Sequence, residues 1–327
     1  MIPEDIVDLV IEASSYCNSR CPHCPRFDEL GHVHPDLVLG NLSPAQLKGL
    51  DLKKLTNLKT VTFEGDKGDP IMNPHLMDLI ALFPKHVKIN ISTNGGIRGR
   101  TWWAKLALIP NLVVNFSIDG LASTNNLYRV NVDYNKVINN AIAFIQAGGN
   151  ANWRCLIFQH NQHEISEIKQ LSRELGFNSV LFRIPHIDRF QDRPVWPVKI
   201  DGKYSHDLIP TTLAESEIKK HSQVYKYIPM LPGPNRQVNN SRCIWARRNK
   251  LYINFQSHVL PCCMMHFETL NDYPGKLLFS NLVGNFDSIS LEHSSLDDIM
   301  LLYTDKLESS LASHNTMLPV CKKTCFS

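Results

Sequence analysis

The sequence lacks the features of a membrane or exported protein. No apolar run approaches the length needed to span a bilayer, and the N-terminus MIPEDIVDLVIEA has acidic residues where a signal peptide has basic ones. A net charge of +3 on 327 residues is too small to indicate a nucleic-acid or membrane partner. Low-complexity tracts are absent too. We therefore expect a soluble, cytoplasmic protein.

Cysteine is abundant and unevenly distributed. Without an export signal, nine cysteines point to metal or redox chemistry in a reducing compartment and away from disulfides. Their grouping predicts two metal sites. The first group is Cys17, Cys21 and Cys24, the second is Cys243, Cys262, Cys263, Cys321 and Cys325, and Cys155 stands alone between them.

Short β-rich runs alternate with helical patterns about every thirty residues, which is typical of stacked βα units around a parallel sheet. Six units are fewer than the eight of a closed barrel, so the pattern predicts an α/β fold with a partial (β/α)6 TIM-like barrel. Helix signals support it: Ser43 to Gln46 resembles a capping box, Asp133 is a cap, and Gly148 and Gly176 are stops. The predicted strands are 6–13, 60–64, 87–92, 112–117, 153–158 and 179–183.

The βα pattern ends near residue 184. Proline-rich, basic sequence follows to about residue 242, and KLYINF and SHVL then predict a hairpin, followed by a helix from about Ser294 to Leu311. The predicted domains are a barrel over 1–183, a linker and substrate-side segment over 184–242, and a small hairpin-plus-helix domain over 243–327.

The first cysteine group directly follows the first predicted strand. Its thiols are thus expected at the C-terminal edge of the sheet, where barrels have their active sites. Three thiolates can hold three irons of a four-iron cluster and leave the fourth iron open, because such clusters normally have four thiolate ligands. A structural zinc site is the alternative, although His23 is too close to Cys24 to complete it comfortably.

This loop resembles the C-x3-C-x2-C signature of the radical S-adenosylmethionine (SAM) superfamily, with His23 where that family usually has an aromatic residue. Later segments continue the resemblance. Gly68-Asp69-Pro70 is similar to the family's Gly-Gly-Glu-Pro segment, with Lys67 in place of the first glycine. Two further strand ends, STNG and SIDG, also resemble family segments, and Arg129 follows SIDG as an arginine often does in the family. The SAM-binding residues implied are His23, Gly68, Asp69, Pro70, Ser92, Asn94, Ser117, Asp119 and Arg129.

The resemblance implies a 4Fe-4S cluster on Cys17, Cys21 and Cys24, with SAM chelated to its open iron. Reductive cleavage of SAM would give methionine and a 5'-deoxyadenosyl radical that removes a hydrogen atom from the substrate. An electron donor such as flavodoxin or ferredoxin is implied as a partner.

The second cysteine group resembles the SPASM and twitch extensions of radical SAM enzymes, which hold an auxiliary 4Fe-4S cluster. The implied ligands are Cys243, Cys262, Cys321 and Cys325, and Cys263 remains an alternative to Cys262. Full ligation would suit electron transfer better than substrate binding. A four-cysteine zinc site is the other interpretation.

Three features outside these motifs have both structural and functional interpretations. Cys155 is a buried apolar residue or a thiol that returns a hydrogen atom to a substrate radical. The residues after the fifth strand, His160, Asn161, His163 and Glu164, are pocket contacts or helix caps. Residues 183–250 contain thirteen Lys or Arg against six Asp or Glu, an excess that either attracts an anionic substrate or is a solvated surface.

The sequence therefore predicts a radical SAM oxidoreductase. Its leading substrate class is a small molecule such as a sugar, an aminocyclitol or a nucleotide derivative, which it dehydrogenates or epimerises, because no N-terminal domain for a leader peptide is evident. Peptide modification, as in maturation of ribosomal peptides, is the alternative. A non-catalytic iron-sulfur or zinc-binding protein is the alternative from another class.

Overall fold

The computed structural model describes residues 2–22, 24–185, 195–226, 248–265, 276–311, 317–319 and 321. Its main feature is a nine-stranded sheet in the order β11-β10-β1-β2-β3-β4-β5-β6-β9, beside a separate hairpin of β7 and β8. The strands are β1 Asp8–Ile11, β2 Thr60–Phe63, β3 Lys88–Thr93, β4 Leu112–Ser117, β5 Asn150–Leu156, β6 Ser179–Arg183, β7 Trp196–Ile200, β8 Lys203–Leu208, β9 Gln223–Val224, β10 Lys250–Ile253 and β11 Val259–Leu260.

The first six strands are parallel and pair in chain order. The helices are α1 Leu76–Ala81, α2 Arg100–Leu106, α3 Asn125–Tyr128, α4 Tyr134–Gln146, α5 Ile165–Glu174, α6 Glu215–His221, α7 Lys276–Val283 and α8 Leu296–Leu311. This alternation of parallel strands and helices in an open sheet confirms the predicted α/β fold class and is consistent with a partial TIM barrel.

The two faces of the sheet differ in polarity. Side chains alternate along each strand, so that β3 and β5 bury every second residue. One face is apolar and packs under the helices: Trp153 and Phe116 both contact Phe177, with ring centroids 5.3 Å and 6.0 Å apart. Each such buried ring stabilises the fold by about 1.5–3 kcal/mol. The opposite face is polar and is called the polar face below; it includes Ser92, Asn115, Asn152, Arg154 and Ser179.

The predicted helix at Ser43 is only a 3-10 turn, Pro44–Leu47. Gln46 Oε1 does accept a hydrogen bond from Ser43 N at 2.9 Å. The helix does not continue because Gly49 pairs with the C-terminal region, donating from N to Leu291 O at 2.8 Å and accepting from Leu296 N at 3.0 Å. The cap at α4 is as predicted, since Asp133 Oδ1 accepts from Lys136 N.

The alternating βα pattern of the sequence ends before residue 195, but residues 195–226 still form regular elements, namely β7, β8, α6 and β9. The turn between β7 and β8 is Asp201-Gly202, with φ of 50° and 79°, and Asp-Gly is a strong hairpin signal. Pro197 obscures it by interrupting the alternating pattern of β7. The hairpin and helix predicted near the C-terminus are present, and β10 pairs in parallel with β1, so this hairpin extends the main sheet. The domain boundaries remain a prediction.

Within the described residues, no helix is both long and apolar enough to cross a membrane.

Candidate functional site

The first three cysteines lie on the loop after β1, at the C-terminal edge of the sheet. Ser19 organises the loop: its N donates to Cys17 Sγ at 3.4 Å, and its Oγ is 2.9 Å from Cys21 Sγ. Cys24 N donates to Cys21 O at 3.0 Å, which closes a tight turn. Hydrogen bonds within one short segment thus link Cys17, Cys21 and Cys24, and their role as iron ligands stays a prediction.

The loop after β2 packs directly against the cysteine loop. A Cβ atom at Gly68 would lie 1.8 Å from Ser14 O, so only glycine permits this approach. Asp69 N donates to Tyr16 O at 2.8 Å. Arg26, which the sequence analysis did not single out, donates from Nη1 to Ser15 O and Lys67 O and joins the two loops.

Asp69 connects this second loop to the end of β3. Its buried carboxylate accepts from Thr93 Oγ1 at 2.8 Å, Asn94 N at 2.8 Å and Ile71 N at 3.1 Å. Asn94 Nδ2 in turn donates to Asn18 Oδ1 at 2.9 Å and lies 3.7 Å from Cys17 Sγ. Asp69 therefore organises the loop through its side chain, and Asn94 reaches the cysteine loop.

Asp119 and Arg129 form a buried ion pair beside Cys21. Arg129 Nε donates to Asp119 Oδ2 at 2.5 Å, while Arg129 Nη1 lies 3.4 Å from Cys21 Sγ. Leu156 N donates to Asp119 Oδ1 at 2.6 Å, which anchors the pair to the end of β5. The arrangement places a fixed positive charge next to the first cysteine group.

The charge of the cysteine loop depends on whether the Cys17 thiol is protonated. Burial, together with Asp69 and the two other cysteines, raises the pKa of the Cys17 thiol to about 12. Bound iron would reverse this balance, because a metal cation stabilises the thiolate.

Among the described residues, no three His, Cys, Asp or Glu side chains converge closely enough to hold one metal ion. A four-iron cluster places each thiolate on a different iron, so its ligands stand farther apart than those of one zinc ion. The described residues therefore form no compact single-ion site at the three thiols, and a cluster there stays a proposal.

The hairpin of β7 and β8 covers the cysteine loop. Val198 and Leu208 are buried against Cys21, Tyr128 and Phe158. Arg20 forms a bidentate ion pair with Asp201 at 2.6 Å and 3.0 Å, and Gly202 N donates to Leu30 O at 2.9 Å. The hairpin therefore shields this edge of the site from solvent.

Ser92 and Ser117 lie on the polar face near the ends of β3 and β4. Ser117 pairs in register with Arg154, whose Nη1 donates to Ser92 Oγ at 3.3 Å. Pro70 is buried in a 3-10 turn. The predicted SAM-binding residues that the structure describes thus lie at or beyond the ends of three successive strands, β2, β3 and β4, and their role stays a prediction.

Three predicted site residues, His23, Cys243 and Cys325, lie outside the described residues. Cys262, Cys263 and Cys321 are partly buried against the main core. The two neighbouring cysteines have different surroundings: the charge of Cys262 acts on Tyr303 of α8, whereas burial, Asp66 and Glu64 raise the pKa of Cys263 to about 12.

Cys155 lies on the helix-covered face, 2% exposed and part of the hydrophobic core. Asn161 and Glu164 support loops: Asn161 Nδ2 donates to Asp119 O at 2.9 Å, and Glu164 Oε2 accepts from Thr124 Oγ1 at 2.6 Å. His160 stacks on Phe158, and burial, His206 and His163 lower its pKa to about 4. Cys155, Asn161 and Glu164 thus have structural contacts, and the functional interpretations of these residues stay predictions.

Neither a protein-family profile nor a curated protein sequence matches the chain. Solved structures do. Streptococcus suis SuiB bound to precursor peptide SuiA aligns with 94% of this chain and 67% of its own at 16% identity and a TM-score of 0.60. SuiB bound to S-adenosylmethionine aligns with 80% of this chain and 61% of its own at 16% identity and a TM-score of 0.55.

The chain shares the fold of SuiB. It spans about 61–67% of the length of the SuiB chains it matches. In this fold, the cysteine loop after β1 and the polar loops after β2, β3 and β4 occupy one edge of the sheet.

Proposed function

We propose that this chain is a radical SAM enzyme. The main supporting observation is the loop of Cys17, Cys21 and Cys24 at the C-terminal edge of β1, with Arg129 at Cys21 and the Gly68 backbone packed against the loop. The cluster and SAM, when bound, supply one-electron cleavage of the sulfonium and a 5'-deoxyadenosyl radical.

The chain's own residues would bind and orient SAM and would exclude water from the site. Asp119 holds the Arg129 guanidinium in place, so a carboxylate of SAM would meet a preorganised donor. The backbone at Gly68 lies close to Ser14, just before the cysteine loop. Hydrogen bonds to the buried carboxylate of Asp69 hold the Gly68 loop in this conformation. The β7–β8 hairpin limits solvent access to the cysteine loop, which protects a reactive radical from side reactions.

We propose a peptide as the substrate class. The support is that SuiB in its peptide-bound structure aligns with nearly the whole chain. This favours peptide modification over the small-molecule substrate that the sequence analysis put first. The auxiliary cluster on Cys243, Cys321, Cys325 and Cys262 or Cys263 belongs to the same proposal, as does an external electron donor such as flavodoxin or ferredoxin.

The test is SAM cleavage by anaerobically reconstituted, reduced protein, measured as methionine and 5'-deoxyadenosine. The parent should cleave SAM, and Cys17→Ala, Cys21→Ala and Cys24→Ala should abolish cleavage. Cys155→Ala is the matched control, because it removes a thiol from the helix-covered face. Undiminished cleavage in any of the three loop variants would rule out the proposed cluster.

The substrate class needs a separate measurement. Peptides encoded beside the gene are incubated with enzyme, SAM and reductant, and their masses are compared before and after reaction. A SAM-dependent mass change supports peptide modification. Turnover of a small molecule with no change in any peptide would contradict the peptide proposal and favour a small-molecule substrate.

A further inference from the structure

Two arginines lie together on the polar face. Arg154 of β5 is in register with Ser117 on one side and Leu181 on the other, and Arg183 of β6 is in register with Leu156. Because Arg154 and Leu156 are two residues apart in one strand, both arginines belong to the same face of the sheet. They are diagonal neighbours, within reach of long side chains.

Neither guanidinium has a carboxylate partner within the described part of the chain. Within the described residues, Arg154 donates a hydrogen bond from Nη1 to Ser92 Oγ at 3.3 Å. Ion pairs involving described residues form elsewhere, for example between Arg129 and Asp119. Two neighbouring positive charges on a half-buried surface repel each other, so their placement is unfavourable without an anion.

The charged groups that act on Arg154 are few. Burial lowers the pKa of Arg154, the charge of Arg183 lowers it further, and Glu64 acts in the opposite sense. Glu64 is itself influenced by Lys250 as well as by Arg154. Glu64 thus interacts with two cations, Arg154 and Lys250.

Arg154 adjoins the proposed SAM site. Ser92, which accepts from Arg154, and Ser117, its register partner on β4, are two of the residues proposed to line that site. Arg183 is exposed and Arg154 is half-buried, so a ligand can reach both. Guanidinium groups bind carboxylates through parallel, charge-assisted hydrogen bonds.

We propose that Arg154 and Arg183 form a subsite for a carboxylate of the substrate, supplied by an Asp or Glu side chain of the peptide. This inference rests on the proposed function and specifies the substrate of the same site. The acidic residue would be held beside the SAM pocket and would position its neighbour in the peptide for hydrogen abstraction.

The test selects peptides from a random library on reconstituted enzyme with SAM, using parent, Arg154→Met, Arg183→Met and Arg173→Met. Arg173 is the matched control, because it stacks on Tyr225 from α5. Peptides bound by the parent and the control should be enriched roughly tenfold in Asp or Glu at one position, the size expected of one charge-assisted hydrogen bond. The enrichment should disappear with the other two variants.

SAM cleavage without peptide is the second measurement, and thermal unfolding checks the fold of each variant. Cleavage should persist at the parent rate in Arg183→Met and Arg173→Met, whereas Arg154→Met also removes the donor to Ser92, a proposed SAM contact. If Arg183→Met loses SAM cleavage while folded, the pair serves SAM and the inference is wrong. Bound peptides without acidic enrichment would overturn the subsite and leave the proposed function standing, whereas a parent that cleaves no SAM would overturn the proposed function itself.

Discussion

Gly68 shows how closely the loops around the first cysteine group pack. Its place beside Ser14 leaves no space for a Cβ atom, since the nearest backbone oxygen would be 1.8 Å away. Backbone cannot move aside as a flexible side chain does, so the segment after β2 and the cysteine loop form one rigid unit. The position of the cysteines is therefore sensitive to a residue far away in sequence.

Gly68→Ala should destabilise the protein by about 2 kcal/mol or more, because the added methyl forces the two loops apart. SAM cleavage should fall with it. Gly99→Ala is the control, since a Cβ atom there meets nothing within 4 Å. Thermal unfolding and SAM cleavage are measured for both. Equal behaviour of the two variants would contradict the tight packing at Gly68.

Glu12 should make stability depend on pH. Burial and then Asp66 raise its pKa to about 8. An acid whose folded pKa exceeds its unfolded pKa binds more protons when folded, so the free energy of unfolding is highest below the unfolded pKa and falls as pH rises toward about 8.

Glu12→Gln should reduce this loss, because glutamine keeps an acceptor for Lys67 N but does not ionise. Melting temperatures measured between about pH 5 and about pH 8 should fall less steeply for the variant than for the parent. Some slope should remain from Asp66, whose pKa burial raises to about 7. Parallel curves would show that Glu12 does not titrate in this range.

At the scale of elements, the β7–β8 hairpin is the cover of the cysteine loop. Its buried residues Val198 and Leu208 pack in one cluster with Cys21, Tyr128 and Phe158. Tyr204 of the same hairpin is 62% exposed. Removing apolar atoms from the buried side weakens the attachment of the hairpin and leaves the rest of the sheet intact.

Leu208→Ala should loosen the hairpin, with a loss of about 2–5 kcal/mol in the interaction that holds it closed. A reconstituted cluster should then lose its visible absorbance in air faster than in the parent. Tyr204→Ala should bleach at the parent rate, because the Tyr204 side chain is mostly exposed and lies outside the buried cluster with Cys21. A parent-like rate in Leu208→Ala would mean that the hairpin does not shield the cluster.

For the molecule as a whole, local sequence patterns predicted the six parallel strands and the order of the site loops, because these depend on alternation, caps and turns. Contacts between distant segments had no local signal. The pairing of β10 with β1 and the bonds from Arg26 to Ser15 and Lys67 are of this kind. The β7–β8 hairpin did have a signal, Asp201-Gly202, which the prolines around it outweighed.

The pairing of β10 with β1 also bears on the second cysteine group, because β1 leads into the first. A variant that unfolds the C-terminal region would disturb both proposed clusters and would say nothing about their separate roles. Cys321 is suitable for a test, since it is only partly buried and packs against the outside of the main core.

If two clusters are present, reconstituted parent should contain about eight irons per chain, and Cys321→Ala about four. SAM cleavage should persist in Cys321→Ala, because the proposed SAM contacts all precede residue 184 in the chain. Conversion of the peptide should be lost, since the second cluster would accept or return the substrate's electron. A well-folded variant, by melting temperature, that converts peptide at the parent rate would show that the second site stabilises the fold and transfers no electron.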